Sequence, residues 1–441
     1  MNPDATPTDS PSPPTARRIL RFWLPLEATW FMMAAEGPFL AAVIARLPEA
    51  KENLAAFGVA AALAWIVESP IVMMLSASNA LVRDKIAFRK LRRFSFALNG
   101  AVTVVMAALI LPPVFDAVAR RGIGLPPEVA AVAGRSIVFL LFWPAAIGFR
   151  RFYQGILIRD HRPQAVTWGT VIRLATMAVT GLVLALVVKL PGASVGAGAL
   201  GVGVIAEGLA SWAMARRSIR GLRAQPDEAC AFGRSLTRSF VLKFYAPLAL
   251  TSFLSFFITP LTSLFLARGK MPLESLAILP VIVGLAFIFR TAGIAIQEVV
   301  IACRGDEGMN QSPLRRFSVR LGVIASLGLG AVVLTPLGSF WYRTVSGLTA
   351  DLAAFAVFPG ILLVPLPLLE AILAFQRGVL VRTDRTAPIS VAVAGQLAAT
   401  MAAFALGVLG LGLAGAIVVG PALTLGYLAG NAVLAATIRR V

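Results

Sequence analysis

The chain has 441 residues, 58% of them hydrophobic and only 14% charged, and carries a formal net charge of +19. A mean hydropathy of +0.83 excludes an ordinary water-soluble domain, in which about a quarter of residues are charged. The basic balance does not call for nucleic acid, because most of it falls where membrane topology places Lys and Arg.

In chain order, residues 1–18 form a Pro-, Ser-, Thr- and Asp-rich tail, expected to be disordered and cytoplasmic. Arg17-Arg18 precedes an apolar run, as in a twin-arginine signal. Glu27 and Glu36 interrupt that run and no small-residue cleavage site follows, so the first helix is expected to persist in the mature protein. Apolar runs then recur at about 19–45, 54–82, 94–115, 130–150, 165–188, 194–215, 240–267, 273–301, 317–341, 352–376, 387–408 and 410–437. Each has about the 20 residues that cross roughly 30 Å of hydrocarbon. Without water to satisfy backbone groups such spans must be helical, and the alternating pattern of a membrane barrel is absent. The prediction is an all-α polytopic membrane protein of twelve spans. Of the 40 Lys and Arg residues, 28 fall in the tails and in every second connection. That side is therefore read as cytoplasmic, with both termini on it. The expected location is a bacterial inner (plasma) membrane.

The chain repeats itself once. Phe22, Pro25, Leu26, Thr29 and Pro38 meet Phe244, Pro247, Leu248, Thr251 and Pro260 at an offset of 222. One residue of slippage later, Pro144, Phe152 and Gly155 meet Pro367, Phe375 and Gly378. Pro25, Pro38, Pro247 and Pro260 are therefore expected to kink spans 1 and 7. Six spans per half give both halves the same orientation, so the repeat is parallel. The predicted organisation is an N-terminal lobe at 19–215, a basic cytoplasmic connection at 216–238, and a C-terminal lobe at 239–441. The run from Arg83 to Arg93 suits contact with lipid headgroups. Cys230 and Cys303 both fall on the cytoplasmic side, where no disulfide is expected.

Twelve spans in two parallel lobes, proline-broken spans 1 and 7, and a basic inter-lobe connection resemble the multidrug and toxic compound extrusion (MATE) family. That family belongs to the MOP superfamily, with the lipid and polysaccharide flippases. Arg21-Phe22-Trp23-Leu24-Pro25-Leu26 and the run from Ala55 through Glu68-Ser69-Pro70 resemble its progressive ankylosis branch. The glycine-flanked loop of the major facilitator class has no counterpart at Leu81-Val82-Arg83-Asp84-Lys85.

Charges inside hydrocarbon cost about 2.5 kcal/mol or more, and those that persist face a cavity or a partner. Glu36, followed by Gly37-Pro38, is a carboxylate at an expected kink. The resemblance implies an ion-coupling role for an acid there, with H+ or Na+ as the coupling ion. Glu27, nearer the cytoplasmic end, reads as structural. Glu68, a second coupling-ion candidate, maps by the repeat onto Arg290. They either pair across the cleft as a gate, or each finds a partner in its own lobe, such as Glu298 for Arg290. Glu370, after Pro365 and Pro367, is a third coupling-ion candidate by resemblance, although Ala249 and Ile258 in span 7 replace Glu27 and Glu36. Glu298 and Arg173 are further candidates for the substrate cleft. Arg150-Arg151 and Arg377 are read as basic helix ends, either lining a vestibule or complementing helix dipoles. His161, the single histidine, is expected in solvent, and neither a metal site nor any cofactor is expected.

The chain also lacks His-Glu-x-x-His, a P-loop and a nucleophile elbow, so it does not read as an enzyme. The expected function is secondary active export of a small organic solute by alternating access, as a monomer. The alternative is flippase-like export of an anionic, phosphate-bearing or lipid-linked solute.

Overall fold

The computed structural model describes residues 16–44, 46–122, 127–226, 230–266, 268–303 and 311–439. The expected disordered segment 1–15 and the acidic pair Asp227 and Glu228 of the connection lie outside the described residues. So do the side chains of Pro38 and Pro260.

The first half comprises α1 (Ala16–Ile44), α2 (Ala50–Glu68), α3 (Met74–Leu81), α4 (Lys85–Ile110), α5 (Pro112–Asp116), α6 (Pro127–Ile137), α7 (Trp143–Arg159), α8 (Pro163–Leu186) and α9 (Gly192–Arg223). After the short α10 (Ala231–Ser235), the second half repeats the plan. Its helices are α11 (Arg238–Leu266), α12 (Pro272–Ile294), α13 (Ile296–Cys303), α14 (Gln311–Leu334), α15 (Pro336–Ser339), α16 (Ala350–Ile361), α17 (Leu366–Arg382), α18 (Ala387–Phe404) and α19 (Gly415–Ile438). Among the described residues ten spans are long and apolar enough to cross a membrane, and α16 with α17 forms an eleventh, bent by 44°. The twelfth is α1, 29 residues long, whose hydropathy is lowered by Glu27 and Glu36. The chain is an integral membrane protein of α-helices.

The internal repeat is written into the helix boundaries. α1 superposes in sequence on α11, and α3 on α13, at an offset of 222, while α7 falls on α17 at 223. Even the wide π-helical turns Ala117–Gly122 and Phe340–Val345 correspond at 223. Glycine serves the same purpose twice. A side chain at Gly155 of α7 would strike Ser78 and the Leu75 carbonyl of α3. One at Gly378 of α17 would strike Val300 and the Gln297 carbonyl of α13. In each half this lets a short helix lie directly against the helix that lines the cleft.

The interruptions fall elsewhere than the prolines of spans 1 and 7 predict, since α1 and α11 run without a break. Hydroxyls satisfy the carbonyls at each described proline: Thr29 and Thr167 donate to that of Pro25 at 3.1 and 2.6 Å. Thr251 and Ser390 donate to that of Pro247 at 2.8 and 2.7 Å. The longer-range bonds of Thr167 and Ser390 tie α1 to α8 and α11 to α18 at these prolines. The breaks lie in spans 2, 4, 8 and 10. Span 2 turns at Ser69–Ile71, with Pro70 inside the turn, and span 4 at Val138–Leu140, before Pro144. The boundary between α12 and α13 and the bend between α16 and α17 are their counterparts in the second half.

Two boundaries correct the sequence reading. Spans 4 and 10 do not end near 150 and 376, because α7 continues to Arg159 and α17 to Arg382. Arg150, Arg151 and Arg377 are therefore mid-helix residues. The polar stretch 216–223 is likewise not loop but the end of α9, with Arg216 stacked on Trp212 at 4.0 Å. The connection beyond it is clasped by the first lobe: Lys85 donates to the Gln225 carbonyl at 2.8 Å, and Lys90 to those of Gly233 and Leu236 at 2.8 and 2.7 Å. Part of the basic run assigned to lipid thus holds the connection in place.

Candidate functional site

Four helices of the first lobe bring their charges together. On α7, Arg150 and Gln154 lie one turn apart on one face; on α8, Thr170 and Arg173 do the same. All four converge on Glu207 of α9, which is fully buried. Its carboxylate accepts from Arg150 at 2.5 Å, Gln154 at 2.9 Å, Thr170 at 3.1 Å and Arg173 at 3.4 Å. Arg173 also binds Oε2 of Glu36 from α1 at 2.5 Å, leaving the buried Oε1 without a hydrogen-bond partner. Trp143, at the start of α7, donates its indole N–H to Glu68, and Arg173 lies over the Trp143 ring at 5.6 Å. Glu36, Glu68 and Arg173 therefore belong to one buried cluster.

The second lobe answers with a smaller one. Arg290 of α12 binds Glu370 of α17 at 2.7 Å, and Tyr427 of α19 donates to the same carboxylate oxygen at 2.6 Å. Arg290 also bonds the Tyr427 hydroxyl and lies against its ring. Glu68 and Arg290 are thus not paired with one another here; each is bound inside its own lobe. The partner of Arg290 is Glu370, not Glu298.

Glu298, on α13, instead joins the lobes. Ser76 of α3 donates to its Oε1, and Asn79 donates to Oε2 at 2.9 Å and to its carbonyl at 3.2 Å. Gln297 donates to the Ser76 hydroxyl at 2.8 Å. Nearby, Thr291 donates to Glu27 at 2.7 Å, and Trp23 to the Ala292 carbonyl at 3.0 Å, so Glu27 is a lobe-bridging acceptor. At the membrane surface Arg83 meets Asp384 at 4.0 Å and stacks on Phe232. Burial raises the pKa of Asp384 above the usual carboxylate value, with Arg83 opposing. His161 is exposed, its ring edge-on to Phe22 at 5.7 Å.

Between the lobes lies a narrow cleft of about 150 Å³, below the usual range of drug-sized sites. Trp30 and Met33 of α1, Met73 and Ser76 near α3, and Arg151 and Gln154 of α7 form one wall. Gln297 and Glu298 of α13, with Glu370 and Arg377 of α17, form the other. Of the residues singled out in the sequence, Glu298, Glu370, Arg150, Arg151 and Arg377 reach this cleft. Glu36, Glu68, Arg173 and Arg290 stand behind it. Sequence reasoning missed Glu207 as the hub, Tyr427 and Trp143 as carboxylate partners, and the hydrogen-bonding trio Ser76, Asn79 and Gln297. Of these, Glu207 alone carries a signal in the sequence, as an acid inside a span. Among the described residues no three His, Cys, Asp or Glu side chains are grouped to hold a metal.

No family model matches the chain, and no curated protein matches it. Solved structures do. A MATE transporter in the bent conformation aligns over 97% of both chains at 15% identity, with a TM-score of 0.73. An outward-facing multidrug resistance MATE transporter of the MOP superfamily aligns over 97% of both at 15% identity and 0.72. A MOP superfamily transporter from Pyrococcus furiosus, described as having a binding pocket of reverse polarity, aligns over 96% of this chain and 97% of its own, at 15% identity and 0.68. The chain therefore shares the all-helical, two-lobed fold of these MATE transporters.

Proposed function

We propose that the chain is a secondary transporter that exports a small organic solute through a bacterial inner membrane by alternating access. In this reading it acts as a monomer with both termini cytoplasmic, and the lobes at 19–215 and 239–441 rock about the 216–238 connection. The observation that carries the reading is the seam of Glu298, Ser76, Asn79, Glu27, Thr291 and Trp23. It joins the lobes by a few hydrogen bonds beside a cleft walled by both. Each such bond contributes only about 1 kcal/mol net, so a solute or ion that binds one state better is enough to part them.

Coupling is assigned to Glu36 and its arginine, with H+ as the ion. Protonation at the unpartnered Oε1 weakens the hold on Arg173, which keeps Glu207 as its alternative partner. That exchange gives the lobe two arrangements to switch between. Glu370, held by Arg290 and Tyr427, is a less open position for Na+. The test is uptake of organic solutes into proteoliposomes with and without a pH gradient. Gradient-driven transport that is lost in Glu36→Gln supports the reading. Transport by Glu36→Gln that still follows the gradient removes Glu36 as the coupling group.

A further inference from the structure

Two arginines in the cleft are left over by every contact described above. Arg151 of α7 and Arg377 of α17 come one from each lobe, on helices that correspond residue for residue at an offset of 223. They are not equivalent positions. Arg377 corresponds to Gln154, so the two guanidiniums are staggered by about one helical turn along matching helices. Neither has a hydrogen-bond or ion-pair partner among the described residues, and the Nε of each is buried and unsatisfied. Arg151 is merely stacked against Trp30, at 5.8 Å. The neighbouring Arg150 is occupied by Glu207.

The acids of the same cleft are committed. Glu298 is bound by Ser76 and Asn79, and Glu370 is neutralised by Arg290. A partly buried arginine that no carboxylate contacts is costly, and two of them sharing one cavity leave guanidinium donors open to a negative group. The guanidinium fork matches phosphate and carboxylate oxygens. Beside the pair, Trp30, Met33 and Met73 offer an aromatic and soft apolar wall.

We propose that the cleft binds an organic anion, its phosphate or carboxylate head held between Arg151 and Arg377 and its apolar body lying against Trp30, Met33 and Met73. This names the solute class for the transporter reading above and rests on the same cleft. Because one ligand from the two lobes completes both guanidiniums, its binding also draws the lobes together.

The test is calorimetric titration of the purified full-length chain in detergent, where no gradient acts. Naphthyl phosphate, dioctanoyl phosphatidic acid and naphthyltrimethylammonium are the probes. Binding of naphthyl phosphate assigns a soluble solute, and binding of the phosphatidic acid alone assigns a lipid headgroup. Either supports the proposal. Arg151→Gln and Arg377→Gln are each expected to weaken binding of the phosphate that binds about tenfold, and the pair about a hundredfold. The Lys variants are expected to retain part of it. Since neither arginine has a bonded partner to orphan, the melting temperature is expected to stay within a few degrees, which separates lost binding from lost folding. Trp30→Ala is expected to weaken naphthyl phosphate more than inorganic phosphate. Unchanged affinity in a folded double variant overturns the proposal, as does binding of the ammonium probe in place of both phosphates. Binding without gradient-driven uptake in proteoliposomes overturns the transporter reading and leaves the anion site standing.

Discussion

Glu68 and Arg290 occupy equivalent places 222 residues apart, each near the end of the helix that precedes the break in its lobe. Around Glu68 the first lobe buries two further acids and two arginines, with Glu207 taking four donors. Around Arg290 the second lobe buries a compact triad with Glu370 and Tyr427. The backbone plan is shared and the charge plan is not. In the first lobe Glu36 has a spare oxygen and Arg173 has two acids to choose from, so that cluster has an alternative pairing built in. In the second lobe Arg290 and Tyr427 bind each other and share Oε2 of Glu370, so the three side chains form one closed set of bonds. A scaffold of matched halves can thus keep one lobe as a switch and the other as a fixed wall.

The largest effect that would break this comparison is loss of the hub. Glu207→Leu leaves Arg150 and Arg173 buried with one acid fewer, and is expected to cost about 3–5 kcal/mol, read as a large fall in melting temperature or loss of folded protein. Arg290→Met strands Glu370 against Tyr427 alone and is expected to cost about 2–4 kcal/mol. Adding Glu370→Leu should return part of that loss, because an intact apolar replacement of a buried pair is often tolerated. If the double variant is no more stable than the single, the second-lobe triad is not a closed unit.

Exchanging the charges sharpens the comparison next. Since Glu68 and Arg290 are bound in separate lobes, Glu68→Arg combined with Arg290→Glu is expected to transport no better than the worse single variant. Rescue by the double exchange would show that they meet in another state. A smaller and symmetric effect is expected from Thr167→Val and Ser390→Ala, which remove the hydroxyls from the Pro25 and Pro247 carbonyls, at about 1 kcal/mol each.

The smallest effect concerns Asp384, outside the membrane. Its pKa is raised in the folded state by burial, against the pull of Arg83 and Arg382. Folding therefore binds its proton more tightly, so ionisation costs stability above the raised value, and that cost disappears as pH falls below the ordinary value near 4. Asp384→Asn is expected to be equal or slightly more stable at pH 7, by less than about 1 kcal/mol, with the difference gone in acid. Melting curves at the two pH values check the sign.

Much of the architecture was legible in the sequence. The apolar runs gave the spans because hydrocarbon leaves backbone groups no partner but their own helix, and the offset of 222 gave the two halves. The misreadings were local. Pro25 and Pro247 are kink candidates in the sequence, and no sequence rule reveals that Thr167 and Ser390, some 142 residues away, bond their carbonyls. Arg150 and Arg377 read as helix ends because an arginine stops a hydropathy window, whereas α7 and α17 run on through them, Arg150 with Glu207 as its partner. Pairings were the least legible. An acid in a span announces that it needs a partner but not which one: Glu298, open in the sequence to Arg290 or to the cleft, meets Ser76 and Asn79 of the other lobe.

The sequence by itself determined that this protein lives in a membrane, that it is helical, that it is built twice and that its halves differ in charge. Each of these is a property of composition or of residue spacing along one helix. Tertiary structure alone decided which charges meet and which do not, because pairing depends on how helices far apart in the chain are packed. It closed Glu68 and Arg290 into separate lobes, made Glu207 a hub, and left Arg151 and Arg377 without partners in the cleft between them.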